Sequence, residues 1–127
     1  LNVIFCIGEN KKEKHSGKTI HVLKKQINIL SNRYNFNKIL IAYEPIWSIG
    51  TGVVPKSNEL NKIAFLIKNH LRTKFKLSKP TKFLYGGSVD DKTIKNFKYI
   101  SNIDGFLIGG ASKSSKKFID IIKNFYK

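Results

Sequence analysis

The chain has 127 residues, of which 41% are hydrophobic and 12% aromatic; this is enough for a packed core and excludes intrinsic disorder despite a net charge of +16. Its apolar runs fall far short of the roughly 18 residues that mark a membrane span, and a single cysteine, Cys6, excludes an internal disulfide. With no secretory leader pattern, the expected setting is reducing and cytoplasmic, with no membrane partner.

The first predicted element is a strand over Val3 to Ile7, followed by a helix whose apolar positions Ile20, Leu23, Ile27 and Leu30 step by three and four. Lys38 to Tyr43 predicts a second strand. Leu60, Ile63, Ile67 and Leu71 mark the next helical stripe, with Ser57 placed as its N-cap. Lys82 to Tyr85 predicts a third strand with a short helix around Asp90 to Phe97. Gly105 to Ile108 predicts a fourth, followed by a helix through Phe118, Ile121, Ile122 and Phe125. Four β/α units imply a parallel α/β sheet with right-handed crossovers and strands apolar on both faces. No linker composition interrupts residues 1–127, so the expectation is one piece without an internal boundary. Four parallel strands alone leave two open edges, so something else should complete the sheet.

The excess of basic residues carries little functional weight. Only Arg33 and Arg72 among the 24 basic residues are arginines, whereas base and phosphate recognition leans on the arginine fork. The lysines are also dispersed, which predicts solvated helix faces and no nucleic-acid partner. More telling is the absence of methionine and a start at Leu1, which together predict a piece of a longer chain.

Every predicted strand ends in a segment with glycine or a carboxylate: Cys6 to Glu9, Tyr43 to Gly52, Tyr85 to Ser88, and Ile108 to Ser112. In parallel α/β folds the carboxyl ends of the strands converge on the binding site, so these four segments should surround one pocket. Glu44, after an apolar strand and before Pro45, suits a general base whose basicity rises as water is excluded; the alternative is a structural carboxylate. Trp47 to Gly52 has the composition of a lid, or of an ordinary surface loop. Gly86-Gly87-Ser88 and Gly109-Gly110 each follow a strand and are expected to open a helix, forming a phosphate cradle. His15, His21 and His70 read as surface residues without metal-ligand spacing. Cys6, inside an apolar strand, reads as a buried, inert thiol.

Together these segments resemble the triosephosphate isomerase family. Tyr43 to Gly52 resembles its base-and-lid motif YEPVWAIGTG, with Ile46 for valine and Ser48 for alanine; Leu84 to Val89 and Asp104 to Ser112 resemble its two phosphate loops, and Cys6 to Glu9 the end of its fifth strand. The resemblance implies the C-terminal four units of a (β/α)8 barrel, with neither cofactor nor metal. It implies interconversion of dihydroxyacetone phosphate and D-glyceraldehyde 3-phosphate through an enediolate, a step of glycolysis and gluconeogenesis, and a homodimer. Glu44 would move the proton, and N–H groups of Gly50, Ser88, Gly109 and Gly110 would hold the phosphate. Pro45, Ile46, Trp47, Ser48, Ile49, Thr51 and Gly52 would form the lid, with Tyr85 and Ser88 as latches and Glu9 holding Trp47 when open.

Two departures accompany it. Val53-Val54-Pro55 stands where many members carry Lys-Thr-Ala, and Pro55 has no N–H to offer Tyr85. The lysine of the family's first strand and the histidine of its fourth have no counterpart, so the chain alone is expected to have little activity. The alternatives are another phosphate-binding β/α-barrel isomerase or epimerase, and a lysine-rich polyanion-binding module.

Overall fold

Short β-branched runs separated by helical stripes fold into one parallel sheet. The computed structural model describes residues 1–127 and contains β1 (Val3–Ile7), β2 (Ile39–Tyr43), β3 (Phe83–Tyr85) and β4 (Gly105–Phe106), in that spatial order. All neighbours are parallel, with Phe5 beside Ile41, Ile41 beside Phe83 and Tyr85 beside Phe106. Parallel neighbours require crossovers. Helices α1 (Lys11–His15) and α2 (Thr19–Ile27) lie between β1 and β2, α3 (Ser57–Phe75) lies between β2 and β3, and α4 (Ser115–Tyr126) follows β4.

Strand alternation divides the sheet into two unlike faces. One carries Ile7, Ile41, Tyr43, Phe83 and Tyr85 into a core with Leu23 and Ile27 of α2 and Leu60, Ile67 and Leu71 of α3. Each large side chain fully buried there contributes about 1.5–3 kcal/mol. The other face bears Ile4, Cys6, Leu40, Ala42 and Leu84, and no helix of the chain lies across it; Ile4 is 44% exposed. The strands are apolar on both faces, as expected, but on this one only Ala42 is fully buried, and Cys6, expected to be buried, is exposed. β1 and β4 each leave one edge without a partner strand.

Local caps differ from those predicted. Ser57 does not cap α3; its Oγ donates to Asn96 O, 2.7 Å away and 39 residues along the chain. Lys76 ends α3 in the left-handed conformation at φ 51°. The helix predicted over Asp90 to Phe97 is a 3-10 turn over Thr93–Phe97, and the fourth strand stops at Phe106 rather than Ile108. α2 ends at Ile27, leaving Leu30 to pack from the loop beyond. His70 is partly covered, 3.0 Å from Asn28 Oδ1; burial and the charges of Lys24 and Lys74 lower its pKa. Asp104 ties α3 to β3, with Lys68 Nζ at 2.6 Å, Lys82 Nζ at 3.2 Å and Phe83 N–H donating at 2.8 Å.

Candidate active site

The segments after β2, β3 and β4 surround a cleft of about 870 Å³ lined by Glu44, Gly50, Ser88, Gly109 and Gly110, together with Ile49 and Gly52; the Cys6 to Glu9 segment after β1, expected at the same pocket, does not line it. Glu44 reaches it because it continues the Leu40–Ala42 row beyond the end of β2, on the face the helices leave open. Its N–H donates to Ile7 O at 2.8 Å, which fixes the backbone from which the carboxylate projects. Gly86 makes room for it, since a Cβ there would meet Glu44 Cγ at 2.7 Å. Cys6 lies on the same face, and partial desolvation of its sulfur, followed by the nearby Glu44 carboxylate, pushes the thiol up to about 11. This geometry, a carboxylate on a rigid strand end facing a cleft, can serve proton transfer.

The 45–54 loop is tied down at two places. Ser48 is fully buried; its Oγ donates to Val53 O at 2.5 Å and lies 3.0 Å from Tyr85 Oη. Ser88 Oγ donates to Ser48 O at 2.6 Å and accepts from Gly52 N–H at 2.9 Å. Burial raises the Tyr85 pKa to about 12, against the opposing bond to Ser48 and with the Glu9 charge adding to it, so Tyr85 stays a proton donor. Its partner is Ser48 and not residue 55. Gly87 permits this crossing, because a Cβ there would collide with Tyr85 Oη and Ser48 Oγ.

Behind the loop sits Glu9, fully buried, whose Oε1 accepts from Thr19 Oγ1 at 3.2 Å, Tyr43 Oη at 3.0 Å and Trp47 Nε1 at 3.0 Å. Burial, then the charge and hydrogen bond of Glu9, hold the Tyr43 hydroxyl far above the ordinary phenol range. The capping box of Asn10 and Glu13 starts α1 immediately after Glu9 and fixes its backbone. Lys14 of α1 then places its ammonium 4.2 Å from the centre of the Trp47 ring while pairing with Glu59 at 2.6 Å. Pro45 is buried, whereas Ile46 and Ile49 are exposed; Thr51 Oγ1 donates to Trp47 O and Ser48 O.

The cradle differs from the sequence expectation in two respects. Neither glycine turn opens an α-helix: Gly110–Lys113 is a 3-10 turn, and Gly86 to Ser88 lead into a loop before the 3-10 turn at Thr93. The helix-dipole contribution is correspondingly small, because α4 starts only at Ser115. Moreover, the Ser88 N–H is taken by Ser48 Oγ at 3.2 Å. Gly50, Gly109 and Gly110 N–H groups make no hydrogen bond within the chain. Sequence reasoning missed Lys92 and Lys117, which line the cleft alongside Asp90 and Asp91. Burial pushes the Asp90 carboxyl up, but hydrogen bonds from the Thr93 and Lys92 N–H groups outweigh it and lower its pKa. Nothing in the spacing of those lysines distinguished them from the solvated ones.

The pattern of the family described as triosephosphate isomerase matches residues 1–125. Among curated proteins, the triosephosphate isomerase of Buchnera aphidicola subsp. Cinara cedri is 45% identical over 124 residues, covering 94% of this chain and 49% of that protein. That of Campylobacter jejuni is 43% identical over 121 residues, covering 95% and 50%. That of Mycoplasmopsis agalactiae is 42% identical over 123 residues, covering 96% and 45%. The chain thus spans about half the length of the curated relatives it matches.

Proposed function

Because the chain belongs to the triosephosphate isomerase family, we propose that it supplies the base, the lid and the phosphate cradle for isomerising a triose phosphate, dihydroxyacetone phosphate to D-glyceraldehyde 3-phosphate. The observation that carries this reading is the meeting of Glu44, the 45–54 loop and the free N–H groups of Gly50, Gly109 and Gly110 at one cleft. Glu44 takes a proton from the carbon beside the substrate carbonyl, leaving an enediolate, and returns it to the neighbouring carbon, while the hydroxyl proton on the first carbon's oxygen passes to the former carbonyl oxygen. Three N–H donors with Lys92 and Lys117 nearby suit the dianionic phosphate, and loop 45–54 excludes water while the enediolate exists. Ser88 contributes through its hydroxyl, by holding the loop.

The open face of the sheet and its two free edges fit a further set of four β/α units, which would close a (β/α)8 barrel and bring the electrophile that stabilises the enediolate oxygen. Residues 1–127 then act as one structural piece. A dimer and a cytoplasmic setting follow the family reading; no helix of the chain is long and apolar enough to cross a membrane.

Isomerase turnover tests this with the chain alone and with the chain joined to the missing half of a relative. Little turnover alone and substantial turnover when joined is the expected result. Glu44→Asp in the joined enzyme should then lower kcat sharply with a modest change in KM. An unchanged kcat removes Glu44 from the base role, and near-normal turnover by the isolated chain overturns the need for a second half.

A further inference from the structure

A serine hydroxyl has one hydrogen to donate and two lone pairs. Ser48, fully buried in the 45–54 loop, uses all three: the hydrogen goes to Val53 O at 2.5 Å, and the lone pairs face Tyr85 Oη at 3.0 Å and Ser88 N–H at 3.2 Å. This count also settles which way the bond to Tyr85 runs. The single Ser48 hydrogen is committed to Val53, so Tyr85 donates. One small side chain therefore joins the returning arm of its own loop, the last residue of β3 and the turn beyond. Ser88 closes the circuit by donating from Oγ to Ser48 O and receiving Gly52 N–H.

We propose that Ser48 is a positioning residue that holds the 45–54 loop over the cleft, acting through Tyr85 and Ser88, before any anion arrives. The purpose of this positioning rests on the phosphate-binding reading above, whereas the anchoring itself does not. Of the other loop side chains, Ile46 and Ile49 are exposed, Thr51 Oγ1 bonds only within the loop, and Val54 packs against the core. Trp47 holds the opposite side of the loop, to Glu9. Alanine, the residue at this place in the resembled motif, would leave the Tyr85 hydroxyl and the Ser88 N–H without their partner, and buried polar groups without partners destabilise the arrangement that contains them.

The test uses the whole chain and Trp47, its one tryptophan. Ser48→Ala should make Trp47 more accessible to acrylamide quenching and speed hydrogen exchange at the Ser88 and Gly52 amides by about tenfold. Tyr85→Phe, which removes a single oxygen and carries the test if Ser48→Ala fails to fold, should reproduce the effect; the double variant should be no worse than either single one. Inorganic phosphate, followed by amide shifts at Gly109 and Gly110, should bind Ser48→Ala severalfold more weakly than the parent chain. Unchanged quenching and exchange in both single variants, or fully additive effects, overturn the proposal. It also falls if the loop loosens while phosphate affinity stays the same. A loosened loop in a chain whose parent form shows no phosphate shift leaves the anchoring supported and overturns the phosphate-binding reading instead.

Discussion

On the helix-covered face of the sheet Ile41, Tyr43, Phe83 and Tyr85 are fully buried, whereas on the opposite face Ile4 and Cys6 of the edge strand β1 stand exposed, Leu40 and Leu84 are half-buried and only the small Ala42 is fully buried. The two faces share backbone, hydrogen bonding and apolar composition, and differ in what lies across them. Stability is concentrated on the covered face, where α2 and α3 complete a core. The proposed chemistry projects from the other, since Glu44 extends the Leu40–Ala42 row. Under that proposal, separating the two would let Glu44, Gly50 and Gly109 meet a substrate without disturbing the residues that hold the chain together.

The largest expected effect tests that division directly. Leu71→Ala on the covered face should lower unfolding stability by about 2–5 kcal/mol, while Ile4→Ala on the open face should cost about 0.5 kcal/mol. Equal shifts in urea midpoints would abolish the distinction. Next, Gly87→Ala forces a Cβ into Tyr85 Oη and Ser48 Oγ; overpacking of this kind should cost about 1–3 kcal/mol and release the loop, read as increased Trp47 quenching.

A smaller effect separates core packing from charge. In the folded chain burial pushes the Asp104 carboxyl up, but Lys68, the Phe83 N–H and Lys82 outweigh it and hold the pKa below its ordinary 3.8. A lowered folded-state pKa means this stabilisation is present above 3.8 and is lost as the pH falls through the folded value. Asp104→Asn should therefore cost about 1 kcal/mol at neutral pH, discounted for partial exposure, and flatten the acid side of the stability curve. Thermal melts across that range check it. A variant curve that still bends at the parental pH assigns the acid sensitivity elsewhere.

The smallest effect concerns Cys6, whose thiol is pushed up to about 11. Exposure should permit alkylation, slow near neutrality and faster with rising pH as thiolate forms. Adding the complementary half of a relative should protect it. Equal alkylation with and without that half would mean that the open face is not where the second half docks.

The sequence carried the strand–helix alternation clearly, because burial on one side of α3 imposes the spacing of Leu60, Ile63, Ile67 and Leu71. It also carried the convergence of the ends of β2, β3 and β4 on one cleft, since that follows from parallel order, whereas the end of the edge strand β1 does not reach that lining. What it could not show were contacts between distant segments. Ser57 reads locally as a cap, yet Asn96 captures its hydroxyl. Ser88 reads as a phosphate donor, yet Ser48 takes its N–H from 40 residues away. Cys6 reads as buried because an apolar strand usually has two covered faces, and here only one is covered. Lys92 and Lys117 resemble every other surface lysine until the turns after β3 and β4 bring them to the same rim.

The free edges of β1 and β4 have a consequence for how the chain behaves in concentrated solution. Each presents unpaired backbone donors and acceptors, and β1 itself carries the exposed Val3 and Ile4, so copies could add strand to strand. A net charge of +16 opposes that approach through mutual repulsion. Such repulsion reaches only about 10 Å in 0.1 M salt and about 3 Å in 1 M salt. The lysines that contribute little to recognition thus act as a colloidal barrier, and ionic strength sets how close two copies come before their edges meet.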